Sequence, residues 1–195
     1  MLLFWRYGYE ATSLQCLTEA MGITPPSLYS AFGDKKQLFL EAVELYITGG
    51  AASAIGIIQA SSTPREAVWN LLQGSAIALT GTDTPPGCML ISSATNCTPA
   101  SADVQESLAK IRLSNEAALR EKIQKDVDEG GFPRETNATA LASLYMGVIQ
   151  GMSTQARDGA SRTNLLAMAE AAMQAWPEAE PARPTFKTTN QPFCD

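Results

Sequence analysis

The run GYEATSLQCLTEAMGITPPSLYSAFGDKKQLF, from Gly8 to Phe39, holds two short helical patterns separated by a tight turn. Leu14, Leu17 and Met21 recur at helical spacing behind Thr12 and stop at Gly22, so the spacing predicts a helix capped by Thr12 and closed by glycine. Thr24 caps the next helix. Pro25 and Pro26 fall in its first turn, where a missing N–H costs nothing, and Leu28, Tyr29 and Phe32 follow at helical spacing before Gly33 and Asp34 end it. Leu14, Leu17, Met21, Leu28 and Phe32 are assigned to a core.

Outward from this run the periodicity stays helical. Leu38, Phe39, Ala42, Val43, Tyr46 and Ile47 form the apolar face of a longer helix that starts at Lys35 and loosens near Gly49 and Gly50. Thr63 and Pro64 open a helix carrying Val68, Leu71, Leu72 and Ile77, and residues 81–87 read as a Thr/Asp/Pro/Gly loop. The only candidate strand is Cys88 to Ser92, which helix spacing explains as well. Beyond Pro99 a long helix turns Val104, Leu108, Ile111, Leu119, Ile123 and Val127 inward and stops at Gly130 and Gly131. Two more helices follow, over residues 134–157 and from about Arg162 to Pro177. The expectation is an all-α protein with a head at residues 1–46, a larger helical domain at 47–177 and a disordered Pro/Thr-rich tail at 178–195.

Composition narrows the chemistry. The chain has 195 residues, 14 Lys+Arg against 20 Asp+Glu, and no histidine. Without histidine, Ser-His-Asp and Cys-His catalysis and the commonest metal ligand are absent. The cysteines at 16, 88, 97 and 194 form no CxxC pair, so no zinc module or thioredoxin-like motif fits, and a reducing, cytoplasmic setting is expected. No nucleotide loop or activated nucleophile is visible, so the chain is not expected to be an enzyme and no cofactor or metal is expected. Nor do 18 apolar residues run together, so no membrane partner is expected.

Two short helices joined by Gly22-Ile23-Thr24 have the proportions of a helix-turn-helix, whose second helix enters the DNA major groove. The whole run from Gly8 to Phe39 resembles the DNA-binding signature of the TetR family of transcriptional regulators. The resemblance implies a homodimer that presents two reading heads to a pseudo-palindromic double-stranded operator. It also implies a small effector in the C-terminal domain that shifts the heads and releases the DNA. On the matching positions it puts Gln15 on the first helix and Pro26, Ser27 and Ser30 on the second toward base edges, where Pro26 offers only apolar contact. Tyr29 matches the tyrosine whose hydroxyl meets a phosphate, and Lys35 the lysine at the next helix's N-terminus. Thr12, Ser13 and Thr24 can donate to phosphates or serve as simple helix caps.

Two features depart from the family pattern. Only seven residues precede Gly8, so the first helix is expected to be shortened, with Leu2, Leu3, Phe4 and Tyr7 packing on the helix-turn-helix. Over Met1 to Tyr46, three cations (Arg6, Lys35, Lys36) face five acids (Glu10, Glu19, Asp34, Glu41, Glu44), a net charge of −2 that predicts weak DNA affinity and a shallow salt dependence.

The larger domain, low in charge and rich in aromatics and methionine, suits a small hydrophobic effector. Trp69, Met89, Ile111, Tyr145 and Met146 are candidate lining residues, with ordinary core packing as the other reading. The last two helices, through Leu141, Leu144, Val148, Met152, Leu165, Ala169, Ala172 and Trp176, resemble the family's dimer-forming pair; packing within one chain is the competing explanation. Cys88 and Cys97 can be a redox pair or two small buried side chains. Two functions therefore stand after the sequence: a ligand-responsive repressor, or a helical ligand- or partner-binding protein with little useful DNA affinity.

Overall fold

The computed structural model describes residues 1–49 and 53–177, so the expectations for Gly50 and for the tail at 178–195 lie outside the described residues. Ten α-helices and one 3-10 turn make up the regular structure, and no strand occurs among the described residues. The head consists of α1 (Leu2–Ala11), α2 (Leu14–Met21), α3 (Pro25–Phe32) and α4 (Lys35–Thr48). The body holds α5 (Ala54–Ala60), α6 (Pro64–Leu79), α7 (Met89–Ser92), α8 (Ala102–Asp128), α9 (Ala138–Arg157) and α10 (Arg162–Met173).

Local chemistry sets the ends of the head helices. The α2 cap is Ser13, whose hydroxyl accepts from the Cys16 N–H at 3.1 Å, and not Thr12 as the spacing suggested. Thr12 instead closes α1 and is buried, its hydroxyl donating to the Gly8 carbonyl at 2.6 Å. Past Met21 the Ile23 N–H reaches back to the Thr18 carbonyl, the bond of a Schellman closure. Thr24 caps α3, as expected, accepting from the Ser27 N–H. Helix α1 breaks at Gly8 (φ 82), which lets the Tyr9 N–H leave the helix and donate to the Ser93 carbonyl at 2.6 Å.

Cys88 to Ser92 resolves as the single turn α7 and not as a strand. Helix α5, capped by Ser53, was not visible in the sequence: seven residues interrupted by Gly56 give too short a span for a periodic signal.

Two cores form, and they do not divide where the chain passes from head to body. One is shared by α6, α8, α9 and α10, and contains Leu72, Leu119, Ile123, Tyr145, Met152 and Leu165. The other joins Phe4, Leu17, Leu28 and Phe39 of the head to Met89, Ala94, Val104 and Leu108 of the body. Phe39 is its hub, meeting Phe4 and Tyr9 edge-on with both centroids at 5.0 Å. Fully burying a side chain such as Leu28 contributes about 2 kcal/mol. The head thus draws much of its stability from α7 and the start of α8, and is not a free-standing three-helix unit. Leu2 and Tyr7, expected to pack against the helix-turn-helix, are exposed instead, as is Met21.

Candidate nucleic-acid interface

Helix α3 buries only Leu28. The residues expected at the groove therefore face outward: Pro26, Ser27 and Ser30 are exposed, and Tyr29 is 48% exposed. Gln15 projects from α2, its amide donating to the Glu19 carboxylate at 2.8 Å. Ser27 and Thr24 share a hydroxyl–hydroxyl bond of 2.9 Å at the helix start, which fixes the Ser27 rotamer. Ser13 is exposed, and while its oxygen caps α2 its O–H remains free to donate. The structure thus brings Ser13, Gln15, Thr24, Pro26, Ser27, Tyr29 and Ser30 to the exposed side of the α2–α3 unit. Thr12 does not join them. With its hydroxyl spent on the Gly8 carbonyl and its residue buried, it is a structural closure of α1 and no phosphate contact.

Lys35 is only partly available. Its ammonium sits 4.4 Å from the centroid of the Tyr9 ring and donates to the Glu10 carbonyl at 3.4 Å. Burial holds its pKa below the ordinary lysine value, against the opposing pull of Glu10. Lys36 is paired with Asp103 on α8. Both head lysines are therefore occupied within the chain, and the acidic balance noted in the sequence is compounded by geometry.

The head is tied to the body by contacts between residues far apart in sequence, which sequence reasoning could not find. The Glu10 carboxylate accepts from the Thr98 N–H at 2.9 Å and from its hydroxyl at 3.0 Å. The Trp5 indole donates to the Gly87 carbonyl at 3.0 Å. The Tyr46 hydroxyl donates to the Cys88 sulfur at 3.4 Å, and the Cys88 N–H in turn donates to Ser153 on α9 at 2.8 Å.

The five candidate effector-lining residues do not come together. Met89 and Ile111 belong to the shared head–body core, whereas Trp69, Tyr145 and Met146 belong to the body core, and Met89 and Tyr145 are wholly buried. The expected interface set also divides. Met152, Leu165, Ala169 and Trp176 point into their own chain's core and are corrected to core residues. Leu144 is 45% exposed, and Leu141, Val148 and Ala172 are half-buried. Cys88 and Cys97 are free thiols, and burial, with the Glu10 and Asp103 carboxylates, pushes the Cys97 thiol up, which disfavours the reactive thiolate. Among the described residues no cluster of three metal-ligating side chains occurs, and no helix is long and apolar enough to cross a membrane.

Comparison with known proteins accounts for nearly the whole chain. Residues 1–42 match the model of bacterial regulatory proteins of the tetR family, and residues 64–175 match a tetracyclin repressor-like C-terminal domain. The HTH-type transcriptional repressor ComR of Escherichia coli K12 is 35% identical over 91% of this chain and 85% of its own length. The HTH-type transcriptional repressor BdcR of the same organism is 26% identical over 89% of this chain and 83% of its own. Among solved structures, a cysteine mutant of the TetR family regulator CifR, complexed with a 26 bp double-strand operator, superposes with a TM-score of 0.85. It is 37% identical, covering 90% of this chain and 92% of that one. The chain belongs to the tetR family of bacterial regulatory proteins.

Proposed function

We propose that this regulator is a cytoplasmic repressor that binds a pseudo-palindromic operator as a homodimer and lets go of it when a small molecule occupies the body. The observation that carries the reading is the outward display of Pro26, Ser27, Tyr29 and Ser30 on a helix anchored by Leu28, with Phe32 packed beside it. A helix of this kind enters the major groove with its first turns against base edges. The similarity to CifR, whose structure holds operator DNA, supports the same use here.

The second copy is expected against the outer face of α9 and α10. Leu144, Gly147, Val148 and Gly151 lie along that side of α9, with Met168 and Ala172 on α10 beside them. The α9–α10 approach is close: a side chain added at Gly151 would meet the Met168 methyl at 3.5 Å. Small residues on one face let helices of a second protomer pack at short range.

The deciding experiment is fluorescence anisotropy of the purified chain on the DNA upstream of its own gene, titrated with salt and with random DNA as competitor. Tight binding that resists competitor is the expected result. Purely non-specific binding by a folded chain would favour the alternative, a ligand- or partner-binding protein whose head has little use for DNA; the paired lysines and the acidic head are the observations on that side.

A further inference from the structure

Three arginines from three helices meet in one groove where head and body join. Arg6 on α1, Arg157 in the last turn of α9 and Arg162 at the start of α10 line a surface groove of about 680 Å³, with Thr80 and Ser161 among their neighbours. The chain as a whole carries a net charge of −6, yet among the described residues none of the three is within ion-pairing distance of a carboxylate. Like charges gathered without a counter-charge repel one another, and a bound anion relieves that repulsion.

Two of the three guanidinium groups are held in place by neutral partners. Arg157 donates to the carbonyls of Trp5 and Arg6 and to the Ser92 hydroxyl, each at 3.3 Å. Arg162 donates through Nε to the Thr80 hydroxyl at 3.1 Å and through Nη2 to its carbonyl at 3.5 Å. A guanidinium carries five N–H donors, so both keep donors to spare. The Arg6 side chain makes no hydrogen bond or ion pair among the described residues. The groove also lies at the N-terminus of the twelve-residue helix α10, whose dipole favours negative charge.

We propose that this groove binds a small anion bearing a phosphate or carboxylate group, held by Arg6 and Arg162 and sensed by Arg157. The proposal rests on the reading of the chain as a regulator released by a small molecule, and it gives that molecule a charge. A bond from a guanidinium to a phosphate or carboxylate joins two ionised groups and is stronger than its bond to a neutral carbonyl. An anion therefore draws Arg157 away from the Trp5 and Arg6 carbonyls, which lie at the end of the first segment of α1. Occupancy loosens the tie between α9 and the reading head and lowers operator affinity.

The test uses the full chain with inorganic phosphate and, separately, succinate, each against sodium chloride at matched ionic strength. Calorimetric titration and thermal melting are read without DNA. The expected result is saturable binding of phosphate or succinate that chloride does not reproduce, weakened about tenfold in Arg6→Gln and in Arg162→Gln. Arg6→Gln removes no bond made within the described residues, so it reports on the site even where Arg162→Gln folds poorly. Whichever probe binds names the ligand chemistry. Binding of neither, or binding unchanged in Arg6→Gln, overturns the proposal. So does a loss of operator affinity in Arg162→Gln with no anion response in the wild type, which would assign these arginines to DNA phosphates. A chain that binds its operator but no anion removes only this inference, and a chain that binds the anion but no operator removes only the regulator reading.

Discussion

The indole N–H of Trp5 donates to the Gly87 carbonyl at 3.0 Å, a buried bond between residues 82 positions apart. It fastens the first helix of the head to the loop between α6 and α7. Trp5→Phe keeps a ring against Tyr46, now 4.8 Å from the indole, but leaves a buried carbonyl without its donor. The expected cost is about 2 kcal/mol, read as a lower urea midpoint at unchanged slope. An unchanged midpoint would show that the bond adds nothing to the attachment.

Gly87 itself is the more sensitive partner. Its φ of +84 lies in the left-handed region, and a Cβ there would stand 2.6 Å from the Arg157 Cγ and 3.0 Å from the Ser153 carbonyl oxygen. Gly130 has nearly the same φ, +87, with nothing within 4 Å. Gly130→Ala should therefore cost about 1 kcal/mol, the backbone penalty alone, while Gly87→Ala should cost about 3 kcal/mol because the Arg157 stem must also move. Equal losses in denaturant unfolding would remove Arg157 packing from the account.

Glu10 makes the head–body contact sensitive to acid. The Thr98 backbone N–H, then hydroxyls of Ser101 and Thr98, hold its carboxyl below the ordinary value of 4.5. A carboxyl that binds protons less readily in the folded chain adds stability above pH 4.5, and that stability is lost as pH falls through the lower folded value. The gap in melting temperature between wild type and Glu10→Gln is thus expected to be fully present above pH 4.5 and to shrink as pH falls below it. A gap that stays constant across that range would mean the carboxylate charge plays no part.

How much of this was legible in the sequence depended on how far apart the partners lie along the chain. The closure of α2 at Gly22, the Thr24 cap and the prolines of α3 are local chemistry, and they were readable as such. Thr12 and Ser13 both suit a helix N-cap, and Ser13 takes the α2 cap while the Thr12 hydroxyl is engaged on the Gly8 carbonyl, a partner that spacing does not reveal. Exposure of Tyr29, Ser27 and Ser30 followed from the spacing of Leu28. By contrast, Arg157 meets Trp5 across 152 residues, and Lys36 meets Asp103 across 67. No periodicity encodes such meetings. The apolar stripe of α9 and α10 was visible, but stripes wide enough to serve two faces do not say which face is inside; Met152 and Leu165 turned inward while Leu144 stayed out.

That outward Leu144 makes the dimer testable. At 45% exposure it is the large apolar side chain left uncovered on α9 among the described residues. Leu144→Asp would place a charge in the proposed interface and is expected to shift sedimentation from dimer to monomer at micromolar concentration, with helical content unchanged. A wild-type chain that already sediments as a monomer would rule out this face as an interface.

The proposed reading surface divides into residues expected to grip and residues expected to discriminate. Tyr29 offers a hydroxyl with no partner among the described residues, so Tyr29→Phe should weaken binding to every sequence alike, by about 1.5 kcal/mol or roughly tenfold. Lys35 must leave the Tyr9 ring to meet a phosphate; Lys35→Ala is expected to weaken binding uniformly and to reduce the logarithmic salt slope by about 1 for each phosphate it would otherwise neutralise. Ser27 and Gln15, bonded to Thr24 and Glu19, are the residues proposed to face the bases. Ser27→Ala and Gln15→Ala should therefore leave random-sequence binding unchanged while altering preference at particular operator positions. If Tyr29→Phe changed sequence preference instead, or Lys35→Ala left the salt slope intact, α3 would have to enter the groove at a different angle, because a phosphate-facing side chain cannot report on base identity.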